Sequence, residues 1–376
     1  MSHDRVAMPS LPRSMLAVKK TEGAPGLTWW PETRVPELQS GQVMVAVTHA
    51  GICGTDRHIY EWDRWSSSRV NLGTTIGHEL CGEIVALGPN IQRAQIGQRV
   101  SAEGHIGCGT CSNCRTGEAH ICQSVDILGI DRDGCFAQFV ALPEENLWPV
   151  HPDIPDHVAA VFDPLGNAVH TVMAAGVSSR SVLITGVGII GLMAVSVARA
   201  AGATQIVVTD TNPQRLELAK KLGADMAFLA DDPEWSSQAA QLSHGQGPDV
   251  LLEMSGHPKA IRDGFQSLAN GGTAALLGLP KDPITFDLPN DIIFKGAKVL
   301  GINGRRMFET WYQMERFLLA GRLDLEPIIT HQLDLADFDQ GFKLMQSGEA
   351  IKVVLKIPQE ATPCPTSTSS VAAKSC

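Results

Sequence analysis

Residues 181–200 read SVLITGVGIIGLMAVSVARA. A short run rich in β-branched residues meets Gly186-Val187-Gly188-Ile189-Ile190-Gly191, and an apolar segment follows. The run from Val182 to Ala198 has 17 residues, at the lower edge of a membrane span. Three glycines interrupt it, so it reads as a buried strand, a tight turn and a helix. In a G-x-G-x-x-G turn between strand and helix, the first glycine allows the turn. The second lets a pyrophosphate approach the backbone, and the third lets helix and strand pack closely. Unpaired N–H groups at the helix start then face the phosphates. Asp210 ends the next apolar run, QIVVTD, about 20 residues on, where a carboxylate accepts bonds from ribose hydroxyls and repels a 2′-phosphate. Arg215 can accommodate a 2′-phosphate, but Asp210 stands nearer the ribose position, so NAD is expected rather than NADP.

Around this turn, SVLITG, QIVVTD, DMAFLA, DVLLEMSG, TAALLGL and KVLGI are six short apolar runs, most of them separated by segments of helical period. They predict an α/β domain with a doubly wound parallel sheet. Before it, QVMVAVTHAGIC and GEIVALG alternate like half-buried strands in a stretch rich in Gly, Pro, Cys and His, which predicts a β-rich domain. After it, MFETWYQMERFLLAG predicts a helix ended by Gly321. A second helix is expected over 336–345 and a strand over 352–357. The boundaries expected are 1–165 for the β-rich domain, 166–305 for the dinucleotide domain, 306–357 for a return to the first, and a disordered Ser- and Thr-rich tail at 358–376.

The chain has 376 residues and a net charge of −10, with no Lys/Arg-rich run, which argues against nucleic acid as partner. No signal peptide or membrane span is expected. Nine cysteines, an odd number, point to reduced thiols and the cytosol. Four of them, Cys108, Cys111, Cys114 and Cys122, follow C-x2-C-x2-C-x7-C in GCGTCSNCRTGEAHIC. Four thiolates close a tetrahedral zinc site with no open position, so this is expected to be a structural zinc. The x7 gap and the missing Cys-Pro ending count against an iron–sulfur cluster. A catalytic zinc needs about three protein ligands and an open position, and Cys53, His78 and a carboxylate, Glu79 or Asp163, meet that need. Spacing alone leaves Cys53 open to being a buried inert thiol and His78 to being a core histidine.

The stretches AGICGTDRHIYEWDRW, GHELCGEIVALG, EGHIGCGTCSNCR, GCFAQF, FDPLGNAVHT, TDTNPQRLELAK, LEMSG and GRRMFETWY resemble the zinc-dependent medium-chain alcohol dehydrogenase superfamily over about residues 14–357. The first, fifth and last are most similar to its threonine-oxidising branch. The resemblance implies a GroES-like catalytic domain around an inserted Rossmann domain, usually in a homotetramer. It implies two zinc ions per chain, one catalytic and one structural. Cys53, His78 and Glu79 match the catalytic zinc ligands. Asp163 matches an acidic position at the metal, as labile ligand or proton relay, and Thr55 and His58 match the relay pair. Ile190, Asp210, Arg215, the run Leu277-Gly278-Leu279, Ile302 and Asn303 match NAD contacts, with Asn303 standing where an aromatic is expected. The implied reaction takes L-threonine to L-2-amino-3-oxobutanoate by hydride transfer, with the hydroxyl proton leaving through Thr55, the cofactor ribose and His58. A substrate with an ammonium and a carboxylate needs a partner for each, and Glu103 and His105 are the candidates. The alternatives are a sorbitol- or 2,3-butanediol-type dehydrogenase with the same zinc and NAD, and a non-catalytic zinc- and NAD-binding regulatory protein.

Overall fold

The computed structural model describes residues 11–359; most of the tail expected to be disordered, from residue 360 on, lies outside the described residues. They form two compact units. One contains residues 11–104, 126–150 and 331–359, the other 105–125 and 151–330.

The first unit is built on a seven-stranded sheet. Its order is Leu147–Pro149, Arg99–Ala102, Glu79–Leu87, Gln42–Gly51, Val353–Lys356, His331–Asp334, and Phe139–Pro143 pairs with Gln42–Gly51 as well. A three-stranded sheet places Ser14–Lys20 between Thr28–Arg34 and Thr74–Thr75. The strand Gln42–Gly51 is not half-buried as its alternation suggests. Val43, Val45 and Val47 pack into one core, and Met44 and Ala46 into another. Period-2 alternation therefore divides this strand between two apolar layers, since successive side chains leave opposite faces.

In the second unit six strands pair in parallel. The order is Met226–Leu229, Gln205–Asp210, Ser181–Thr185, Val250–Glu253, Thr273–Leu276, Lys298–Gly301. All six apolar runs of the sequence are present. In chain order this is 3-2-1-4-5-6, so the order reverses beside the first strand, and a crevice opens at the carboxyl ends there. Leu183, Val207, Leu251 and Ala274 from four neighbouring strands pack with Phe265 and Trp235. The helix Glu309–Leu319 sets Trp311 edge-on to Phe162, with centroids 5.6 Å apart, in the helix Phe162–Ala175. Composition divides the chain at 165 and 305. Packing groups it differently, because this helix pair and the cysteine lobe contact the unit that holds the parallel sheet. Among the described residues no helix is long and apolar enough to cross a membrane.

Candidate metal centre and cofactor cleft

In the first unit Cys53 follows the strand Gln42–Gly51 and caps the helix Gly54–Glu61. His78 precedes the neighbouring strand Glu79–Leu87, whose Glu79 lies directly opposite Gly51. The strand pairing therefore brings Cys53, His78 and Glu79 together, with one ligand atom of each within 4.8 Å of the others. One sulfur, one imidazole nitrogen and one carboxylate oxygen converge, a donor set that fits zinc.

Asp56 organises this set. Its Oδ2 accepts the Cys53 N–H at 2.9 Å, and its Oδ1 lies 3.6 Å from His78 Nδ1. At that distance the two side chains interact electrostatically rather than through a hydrogen bond. Thr55 and His58 stand three residues apart, on one face of the same helix. His58 Nδ1 is 2.7 Å from Asp63 Oδ2, and the other oxygen of Asp63 accepts the Ser66 N–H at 2.9 Å. The outer histidine of the pair is thus oriented by a helix-capping aspartate while its ring stays open to solvent. Behind Glu79, Lys352 Nζ lies 2.5 Å from Oε2 in a fully buried ion pair. Glu103 is also fully buried, its backbone exchanging hydrogen bonds with Asn146.

In the second unit Cys108, Cys111, Cys114 and Cys122 hold their sulfurs within 4.8 Å of one another. Cys111 Sγ and Cys122 Sγ are 3.9 Å apart. A tetrahedron with zinc–sulfur bonds of about 2.3 Å has edges of about 3.8 Å, so the four thiols fit the metal. Backbone N–H groups aim at the sulfurs: Cys111 at Cys108 (3.4 Å), Cys114 at Cys111 (3.5 Å), and Cys108 and Ser124 at Cys122 (each 3.3 Å). The Thr110 hydroxyl and the Thr110 and Cys111 N–H groups draw the Cys108 thiol down to about 6. Desolvation and the sharing of protons with its neighbours push Cys114 up to about 12. A bound cation removes that conflict by releasing the protons.

Asp163 lies in the first turn of Phe162–Ala175, where its Oδ2 pairs with Arg305 at 2.6 Å. Gly166 makes room for the arginine, since a Cβ there would stand 2.7 Å from Arg305 Cδ. His105 is half-buried.

The cofactor cleft opens at the reversal of strand order, with a volume of about 750 Å³, in the range of small-molecule sites. The glycine roles separate cleanly. Gly186 has φ +85°, a Cβ on Gly191 would strike the Gly186 carbonyl, and Gly188 meets nothing within 4 Å. Gly188 opens the helix Ile189–Ala200, and no side chain caps that end, so its N–H groups are available to a pyrophosphate. Asp210 and Arg215 line the cleft beside Gly186 and Gly188. Asp210 Oδ2 accepts the Val187 N–H at 2.7 Å and Oδ1 the Asn212 N–H at 2.8 Å. Ile190, Gly191, the Leu277–Leu279 run, Ile302 and Asn303 are not among its lining residues. Leu279 and Asn303 are exposed.

Residues 39–153 match the alcohol dehydrogenase GroES-like domain, and residues 190–320 match the zinc-binding dehydrogenase family. The chain is 44% identical over 342 residues to an L-threonine 3-dehydrogenase of Bacillus licheniformis, covering 91% of this chain and 99% of that one. The chain belongs to the zinc-dependent medium-chain alcohol dehydrogenases. Among solved members, the alcohol dehydrogenase TADH of Thermus sp. ATN1 superposes with a TM-score of 0.84 at 29% identity, over 92% of this chain and 100% of that one. An alcohol dehydrogenase of E. coli CFT073, solved with the cofactor NADH, gives a TM-score of 0.84 at 25% identity, over 92% of this chain and 100% of that one.

In this zinc-dependent dehydrogenase the residues that sequence reasoning missed are partners of the expected ones. Asp56, Asp63, Lys352, Arg305 and Glu253 hold Cys53, His58, Glu79, Asp163 and the loop after Val250–Glu253 respectively. Glu253 Oε1 accepts the Ser255 N–H at 3.0 Å and its hydroxyl at 2.5 Å, which shapes the turn beside Gly186. Asp56 carried a legible signal, three residues after the capping Cys53. Lys352 and Arg305 carried none, since a lone cation reads as a solvated side chain.

Proposed function

We propose that the enzyme oxidises L-threonine at its 3-hydroxyl to L-2-amino-3-oxobutanoate with NAD as hydride acceptor. It would use two zinc ions per chain, one held by Cys53, His78 and Glu79 and one by the four clustered cysteines. The observation that carries the substrate is the 44% identity to a threonine dehydrogenase across 91% of the chain. The sulfur–nitrogen–oxygen set and the glycine turn support the chemistry.

A metal held by Cys53, His78 and Glu79 would supply Lewis acidity toward the substrate hydroxyl, and a dinucleotide in the cleft would supply the hydride acceptor. The protein's own residues do the rest. Asp56 holds the Cys53 N–H and lies 3.6 Å from His78. Thr55, whose hydroxyl both accepts and donates, takes the hydroxyl proton and passes it outward. His58, held at Nδ1 by Asp63, delivers it to solvent from its other nitrogen. Asp163, paired with Arg305, is the acidic residue that the family resemblance assigns to metal binding or proton relay. The helix end at Gly188 holds the pyrophosphate, and Asp210 the ribose. His105, half-buried, is the candidate partner for a charged end of the substrate. Glu103 is enclosed, so direct contact with substrate requires its loop to move.

The edge strand Lys298–Gly301, with exposed Val299, Ile293 and Phe294 near it in sequence, fits a contact between copies in the proposed homotetramer. Among the described residues none of the seven cysteines is in a disulfide, which fits a reducing compartment such as the cytosol. The test is NADH formation from threonine, sorbitol and 2,3-butanediol in parallel. Threonine is expected to give the highest kcat/KM. Turnover of either diol or polyol without turnover of threonine would replace the substrate, and no NADH from any alcohol would favour the regulatory reading.

A further inference from the structure

The segment Gly304-Arg305-Arg306 follows the last strand of the parallel sheet, Lys298–Gly301, at its carboxyl end. It is held by one helix and by the cysteine lobe, all within one unit of the chain. Asp163, Gly166 and His170 stand at i, i+3 and i+7 of the helix Phe162–Ala175, so they form one stripe along it. Asp163 pairs with Arg305, and Gly166 makes room for that side chain. His170 is buried, and its Nδ1 is 2.9 Å from the Gly304 carbonyl oxygen. A carbonyl only accepts, so this nitrogen carries the proton and donates. Gly304 has φ +55°, a backbone turn that side chains rarely allow.

The lobe reaches the same segment twice. Arg306 donates to Glu118 Oε1 at 2.6 Å. The His120 side chain is 8% exposed, and its ring meets His170 edge-on, with centroids 5.4 Å apart and planes at 89°. Fixing loop backbone costs conformational entropy, so a loop held at three consecutive residues points to a task. A dinucleotide crosses a doubly wound sheet with one nucleotide on each half. Asp210 marks the first half. Lys298–Gly301 belongs to the second, with Val250–Glu253 and Thr273–Leu276, so the held segment borders the second nucleotide. We propose that His170 is a positioning residue for the nicotinamide half of the cofactor, and that the cysteine lobe acts with it through His120 and Glu118. The lobe then serves cofactor binding as well as stability. The proposal rests on reading the cofactor as NAD.

The experiment titrates the holoenzyme with NADH, followed by its fluorescence, and with ADP, followed by calorimetry. ADP lacks the nicotinamide nucleoside and so reports the first half alone. His170→Phe keeps a ring against His120 and loses the hydrogen bond to Gly304. Its Kd for NADH is expected to rise about tenfold, with the Kd for ADP within about twofold of the wild type. KM for NAD rises with it while kcat at saturation holds, because the lost contact serves binding. His170→Asn returns an N–H to the carbonyl and restores NADH binding to within about threefold. Unchanged NADH binding in His170→Phe, or an equal loss for NADH and ADP, would overturn the proposal. Glu118→Ala breaks a half-exposed ion pair and reads the share of the lobe: NADH binds about threefold more weakly and ADP as before. Unchanged NADH binding there would remove the lobe from the proposal. Should His170→Phe fail to fold, Glu118→Ala decides in its place by the same two probes. A wild type that binds neither NADH nor ADP would instead overturn the NAD reading itself.

Discussion

At Cys53 two structural duties meet. The residue caps a helix, and it presents its sulfur to His78 and Glu79. Serine is a good capping residue and a poor soft ligand. Cys53→Ser should therefore keep the fold, read by circular dichroism and melting temperature, and lower kcat by at least about a thousandfold through loss of the Lewis acid. A normal kcat in the zinc-loaded variant would remove Cys53 from the metal. Asp210 is the second informative residue. Its carboxylate lines the cleft and also accepts the Val187 N–H of the glycine turn. Asp210→Ala should raise KM for NAD about tenfold and narrow the preference over NADP, since a hydrogen bond to a charged acceptor contributes about 1.5–3 kcal/mol. Equal constants for both cofactors before and after the change would contradict its role. Cys53 and Asp210 were legible because each stands at a set distance from a motif. Lys352 was not, because its partner Glu79 is 273 positions away in the chain and only strand pairing joins them.

At the scale of elements, the cysteine lobe is a loop with little apolar packing of its own. Its short helix Ser112–Arg115 and the turn Ala119–Ile121 contribute no buried residues. Sulfur geometry must hold it instead. Glu118, within the lobe, pairs with Arg306 at 2.6 Å, so lobe order reaches the segment after the last strand of the parallel sheet. Cys111→Ser should lower the melting temperature and release one zinc per chain, because ligand loss is folding free energy in such a site. Hydride transfer should fall less than in Cys53→Ser. If stability were unchanged and hydride transfer abolished, the two metal sites would have to exchange roles. The lobe was readable from C-x2-C-x2-C-x7-C alone, since local spacing suffices where all ligands lie within fifteen positions. The strand Gln42–Gly51 was read less well. Alternation predicts two faces but not what covers the second, and here both faces are apolar cores.

At the scale of the whole molecule, exposed Ile293 and Phe294 and the edge strand after them are costly for an isolated chain. In the proposed homotetramer they are covered. Phe294→Glu should shift the species seen by sedimentation or light scattering to a smaller oligomer without unfolding the chain. An unchanged mass would place the contact elsewhere. The division into domains shows the same limit of sequence reading. Composition changes near residues 165 and 305, yet Trp311 against Phe162 and the cysteine lobe belong to the unit of the parallel sheet. Composition reports local preference, and grouping depends on contacts that ignore chain order.

The sequence by itself determined the parallel α/β sheet, the phosphate-binding turn, the four-cysteine lobe and the expectation of a zinc dehydrogenase. Each of these is written in short-range spacing, where backbone geometry leaves few choices. Only the tertiary structure decided which groups hold the expected residues in place: Asp56 at Cys53, Asp63 at His58, Arg305 at Asp163, and Lys352 with Gly51 at Glu79. Buried charges require partners, and any cation that the fold brings near can serve, so the partner's position along the chain leaves no pattern to read.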